Sequence, residues 1–179
     1  MALPELVRTF KNLELIETSV FGVSRNENAY NFSLGLQKPL SSVFETEDSW
    51  RLQFDSLAYN GEVYSSEYSA VVSLLFEKVY VPTTHLSKLA TAFEAQGRVC
   101  LHSLHQLKCV CSSSDDFEQI ELLKSNETVY LNPQLYLTQE NNECFVNTIE
   151  NSQVWHLGSS LLNYYSLSFD LENKQIGFN

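Results

Sequence analysis

Five side chains able to ligate a metal crowd one stretch of this chain: Cys100, His102, His105, Cys109 and Cys111. Thiolates and imidazoles are what structural zinc sites use, in sets of four at paired spacings. The order here, Cys-x-His-x-x-His-x-x-x-Cys-x-Cys, is not a standard spacing, and few glycines are at hand to fold it round an ion, so no metal is expected. Ser73 is a second candidate for chemistry. A serine nucleophile needs a base and an oxyanion hole, and no histidine stands at a suggestive position. His156 lies in an apolar Trp-x-Leu-Gly run and reads as a satisfied core or cleft residue, while Asp115 and Asp116 read as an exposed turn pair. The triplets Asn31-Phe32-Ser33 and Asn126-Glu127-Thr128 are acceptors for N-linked sugar, although such triplets also arise by chance.

The bulk numbers narrow the classes. With 179 residues, 44% hydrophobic and 18% charged, the chain can build one core-bearing domain. The net charge of −11 leaves no basic stripe for phosphates, which disfavours nucleic acid, and it equally disfavours an anionic membrane. No apolar run is long enough to span a bilayer. Pro4 and Glu5 interrupt what would be a signal peptide's apolar core, so either the chain is not secreted in this form or it is a processed or truncated piece. Four cysteines fit two disulfides or four inert thiols, and composition does not choose.

The elements that must position these residues are mostly strands. Eleven Phe, nine Tyr and many β-branched residues favour sheet. Leu3, Leu6, Val7, Phe10 and Leu13 keep helical spacing, with Pro4 in the opening turn. Trp50 to Asp55 alternates apolar and polar as a half-buried strand, Asn60-Gly61 predicts a hairpin turn, and Glu62 to Tyr64 the returning strand. Ser69 to Val72 reads as a further buried strand. Leu86, Leu89, Ala90 and Phe93 predict a helix capped by Thr83 or Thr84 and ended by Gly97. Strands are expected at 119–123, 128–131, 135–137 and 144–148, then two more round a turn at Glu172-Asn173-Lys174.

Two stretches resemble the pepsin-like aspartic protease family. The first, WHLGSSLLNYYSLSFDLENKQIGF (155–178), has Trp155, Leu157, Gly158, Leu161, Asn163, Tyr164, Tyr165, Phe169, Asp170, Asn173, Ile176, Gly177 and Phe178 in gapless register with the family's C-terminal signature. The second runs from Asp48 to Pro82, where DSWRLQFDSLAYNGEVY resembles the segment leading to the second catalytic loop. Ala70-Val71-Val72 precedes that loop and Tyr80-Val81-Pro82 follows it.

At the loop the family carries Asp-Thr-Gly followed by Thr or Ser, and this chain carries Ser73-Leu74-Leu75-Phe76 at unchanged spacing. Aspartic proteolysis needs two carboxylates that share a proton and activate one water. A serine hydroxyl does not titrate in that range, so Ser73 cannot replace the acid. The glycine that lets the backbone pass near the partner loop becomes Leu75, which with Phe76 is expected to fill the site with apolar side chains. The partner aspartate and flap belong to an N-terminal lobe, for which this chain has no room. Ser159, where many members carry Asp, reads as a helix cap. The register also implies a Cys111–Cys144 disulfide, leaving Cys100 and Cys109 to pair with each other, with four reduced core thiols as the alternative.

The resemblance therefore implies an all-β fold, a pepsin-like C-terminal lobe with a few short helices. Residues 1–22 form the interlobe helix and first strand, and residues 23–179 form the lobe. The expected function is a catalytically inactive binding or structural subunit without a cofactor, working through its interlobe face in the secretory pathway or outside the cell. Its expected partner is protein, either an N-terminal pepsin-like lobe or a larger complex. The alternative is one chain of a split aspartic endopeptidase, with Glu77 the nearest carboxylate in sequence.

Overall fold

The computed structural model describes residues 3–27, 29–35, 42–46 and 50–179. In chain order the elements are α1 (Leu3–Asn12), β1 (Val20–Asn26), β2 (Ala29–Leu34), β3 (Val43–Glu45), β4 (Arg51–Tyr59) and β5 (Glu62–Val72), followed by β6 (Val81–Pro82) and α2 (Leu86–Ala95). Then come β7 (Cys100–His102), β8 (Leu107–Val110), β9 (Ile120–Lys124), β10 (Glu127–Leu131), α3 (Pro133–Tyr136), β11 (Leu137–Glu140) and β12 (Glu143–Val146). Last are β13 (Thr148–Ile149), β14 (Trp155–Leu157), β15 (Leu167–Asp170) and β16 (Gln175–Phe178). The fold is all-β in character, and the chain divides into two compact units, Met1–Leu52 with Leu162–Asn179, and Gln53–Leu161.

The first unit is built on a sheet of order β2-β1-β15-β16-β3. Val20 to Val23 is buried along its whole length, and Phe21 stacks on Phe169 at 4.6 Å. Asp170 closes the β15–β16 turn: its carboxylate accepts from the backbone N–H of Glu172 and Asn173 (both 2.9 Å) and from the Asn173 side chain (2.8 Å). Lys11 at the end of α1 pairs with Glu172 of the same turn. Trp50, expected as the first strand residue, instead takes a left-handed φ of 57°, which turns its ring edge-on to Phe169 at 5.0 Å.

The second unit contains the sheet β10-β9-β4-β5-β14, the sheet β11-β12-β8-β7 and a small β13–β6 pair. Strand β4 alternates as its sequence predicts through Asp55, then buries every residue from Leu57 to Tyr59. Asn60 (φ 50°) and Gly61 (φ 75°) make the hairpin turn, since both tolerate positive φ. The two short strands expected after it are one continuous strand, β5. Packed beneath are Tyr59, Phe93, Phe117 and Tyr136, with the Tyr136 hydroxyl donating to the carbonyl of Glu118 at 2.7 Å.

Two expectations need correction here. The strand expected at 135–137 starts only at its last residue: Pro133 has no N–H to donate, and Leu135 N–H closes a turn on Asn132, so Leu135 and Tyr136 end α3 and β11 begins at Leu137. Neither Thr83 nor Thr84 caps α2, because both sit inside a 3-10 turn, Thr83–His85, that leads into it. Gly97 ends the helix region with φ 78°.

Candidate functional site

The site grows from a parallel strand pair far apart in sequence. Strand β14 lies beside β5 with Ala70 opposite Trp155, Val71 opposite His156 and Val72 opposite Leu157. At the shared carboxyl end the Ser73 N–H donates to the Leu157 carbonyl (3.0 Å), and the Ser73 carbonyl accepts from Phe76 N–H (3.2 Å), closing a tight turn. The chain returns past the other side of β14, where Tyr80 and His156 exchange two backbone bonds of 2.9 and 3.0 Å.

The turn after β14 clasps this loop from the opposite side. Ser159 N–H donates to the Phe76 carbonyl at 2.7 Å and Ser160 N–H to the Glu77 carbonyl at 2.8 Å. Gly158 makes the clasp possible, because a Cβ there would stand 2.1 Å from the Lys78 carbonyl oxygen and 2.6 Å from that of Phe76. Ser159 opens a 3-10 turn, Ser159–Asn163.

The side chains depart from expectation at one point. Leu75 does not fill the loop: it sits at the tip of the turn, 97% exposed, because the backbone bonds from Ser73 and Phe76 direct it outward. Phe76 does pack inward, half-buried, with its ring 4.8 Å from His156 and 5.4 Å from Tyr80. Burial holds the His156 imidazole below its usual pKa. Its Nε2 lies 3.3 Å from the Ser152 hydroxyl, while its Nδ1 and the Ser160 hydroxyl are buried without hydrogen-bond partners. Glu77 is exposed and is the sole carboxylate between Ser73 and Pro82.

A second polar contact went unnoticed in the sequence. The Trp155 indole N–H donates to His85 Nδ1 at 2.8 Å, with Tyr68 edge-on to the imidazole at 4.9 Å. Burial, and secondarily the Lys88 charge, hold His85 below the ordinary imidazole range. A buried indole N–H needs an acceptor, and that need was the available signal.

The metal-like cluster resolves into disulfides: Cys100 bonds Cys109, and Cys111 bonds Cys144. Bonded sulfurs offer no thiolate, His105 pairs with Glu150 at 3.2 Å, and no group of three or more candidate ligands occurs among the described residues. Asp115 and Asp116 lie in a 3-10 turn, where the Asp116 carboxylate accepts from Ser112 N–H (2.7 Å) and Ser113 N–H (3.0 Å). Those two N–H bonds lower its pKa. Asn31 lies within β2, and Asn126 lies in the loop between β9 and β10.

The parallel clasp at 70–80 and 155–160, the two disulfides and the strand-rich frame define a pepsin-like lobe. A family model described as eukaryotic aspartyl protease matches residues 11–179, and the chain belongs to that family. No curated protein matches the chain in sequence.

Proposed function

We propose that this pepsin-like lobe does not cleave peptides and serves as a binding or structural subunit. What carries the reading is Ser73, which the sequence resemblance aligns with the family's catalytic aspartate and which stands at the head of the loop clasped by Gly158 to Ser160. A hydroxyl there has no charge to share with a second carboxylate, so the coupled acid pair that activates water is lacking on this side. Incubation with an unstructured protein substrate at acid pH, with and without pepstatin, is expected to give no pepstatin-sensitive cleavage. Such cleavage would overturn the reading.

The partner is a protein, in the form of an N-terminal pepsin-like lobe or a larger assembly, and it docks on the face the family uses between lobes. Support comes from the first unit, where Tyr30 and Phe32 on β2 are 51% and 65% exposed. Exposed aromatics of this size favour a protein interface. Two disulfides support a secretory or extracellular setting. The alternative, one chain of a split endopeptidase, is favoured only by exposed Glu77 in the turn. Native co-purification separates the two readings: a stoichiometric pepsin-like partner whose addition creates acid activity supports the split enzyme, and unrelated subunits support the scaffold.

A further inference from the structure

We propose that Asn126 and Asn31 carry N-linked oligosaccharides, and that each sugar guards the free edge of a sheet. The two acceptor triplets lie far apart in sequence, yet one falls within an outermost strand and the other at the loop that opens one. Among the described residues, β10 ends the sheet β10-β9-β4-β5-β14, and β2 ends the sheet β2-β1-β15-β16-β3.

Asn126 is the second residue of a two-residue loop, with Lys124 paired to Glu127 across it, and it is exposed. The tip is fixed from below. The Asp55 carboxylate of β4 accepts from Ser125 N–H (2.8 Å) and from Lys124 Nζ (3.0 Å), while Ser125 takes a left-handed φ of 53°. A sugar on Asn126 therefore projects from a rigid tip at the start of β10. Asn31 sits opposite Ser24 in β2 and is exposed. Strand alternation puts Asn31 and Ser33 on the face opposite Tyr30 and Phe32, so a sugar there leaves the aromatic face open.

An unpaired edge offers free N–H and C=O groups to another chain, and folded proteins blunt such edges with Lys, Pro or a bulge. Neither β2 (AYNFSL) nor β10 (ETVYL) contains Lys, Arg or Pro, and both carry exposed aromatics, Tyr30 and Phe32 on one and Tyr130 on the other. A bulky hydrophilic sugar supplies the missing obstacle. The two disulfides place the chain in an oxidising compartment, where the transfer takes place. In the transfer the asparagine Nδ2 attacks C1 of a lipid-pyrophosphate-linked oligosaccharide. The C1–O bond to phosphate breaks, the C1–Nδ2 bond forms, the lipid pyrophosphate leaves, and one Nδ2 proton passes to a base of the transferase. Nothing is oxidised or reduced.

The test is the full chain secreted from a eukaryotic host. Its intact mass is expected to exceed the polypeptide mass by two glycans, with Asn126→Gln and Asn31→Gln each removing one and the double variant removing both. A chain at bare polypeptide mass overturns the assignment, and a variant that leaves the mass increment unchanged overturns it for that residue. The guarding role is read separately. Enzymatically deglycosylated protein with unaltered Tm and circular dichroism is expected to aggregate several-fold faster in light scattering. Thr128→Lys, which loses the triplet but charges the β10 edge, is expected to aggregate more slowly than Asn126→Gln. Equal aggregation rates with and without sugar overturn the edge role and leave the mass result to decide the modification.

Discussion

Two glycines make opposite demands on the backbone. Gly61 adopts φ 75° with open space around its α-carbon, whereas Gly158 has an ordinary φ and no room at all. Gly61→Ala is expected to cost about 1–2 kcal/mol of stability, purely from the left-handed backbone. Gly158→Ala must push Lys78 and Phe76 carbonyls aside and break the Ser159 and Ser160 bonds, costing about 4 kcal/mol or more. Urea unfolding of both variants checks the ranking, and equal costs would remove the case for a clasp. Asp170→Ala strands two backbone N–H groups and the Asn173 amide, so a loss of about 2–3 kcal/mol is expected in the same measurement. Gly158, Asp170 and Asn173 were all legible in the sequence through family resemblance. Their reasons were not, because a carbonyl 2.1 Å from a missing Cβ belongs to a segment some eighty residues away. Leu75 was misread for a related cause: the residue type predicts burial, but the direction of its side chain is set by the backbone bonds of Ser73 and Phe76.

Among the elements, those with a local cause were the legible ones. The β4–β5 hairpin follows from Asn60-Gly61, the β15–β16 hairpin from its polar turn, and α2 from its apolar spacing. Where a non-local or steric cause decided, the pattern misled: α3 displaces an expected strand because Pro133 opens a turn, and β5 runs through residues that alternate poorly. The disulfides act at this scale too. Cys111–Cys144 closes a separation of 33 residues, tying the segment after β8 to β12, whereas Cys100–Cys109 closes only 9 across the β7–β8 hairpin. On the chain-entropy account, removing the longer closure by paired Cys→Ser substitution costs about 3.5 kcal/mol and removing the shorter about 2.5 kcal/mol. Chemical denaturation of the two double variants is expected to show that order; a larger loss from the short hairpin would mean that strand packing, and not loop closure, sets the effect.

The molecule as a whole should dislike mild acid, contrary to what a family of acid proteases suggests. His85 and His156 both have folded pKa values below the free imidazole value of 6.5, so the folded state binds fewer protons than the unfolded chain. Stability from this source is complete above pH 6.5 and declines as pH falls below it towards the folded values. A second decline follows at lower pH. There Asp55, held down by Ser125 N–H, Asp116, held down by Ser113 N–H, and Glu172, held down by Lys11, lose their bonds on protonation. Tm measured against pH is expected to begin falling near pH 6.5, and His85→Asn, which keeps an acceptor for the Trp155 indole without a titrating ring, should flatten that first decline. A Tm that is level from neutral pH down to the carboxylate range would contradict it. The strand order of the first unit bears on how such a chain is made. There β1 pairs with β15 as well as with its neighbour β2, and β3 pairs with β16, so one edge of β1 and the strand partner of β3 come only from residues near 170. During synthesis the middle stretch, Gln53–Leu161, can condense on its own as it leaves the ribosome, while the apolar Val20 to Val23, hairpinned to β2 on one edge only, must wait with the other edge unpaired until the last strands emerge. Stalling translation before β15 should therefore yield a nascent chain in which protease spares the middle and cuts the opening residues.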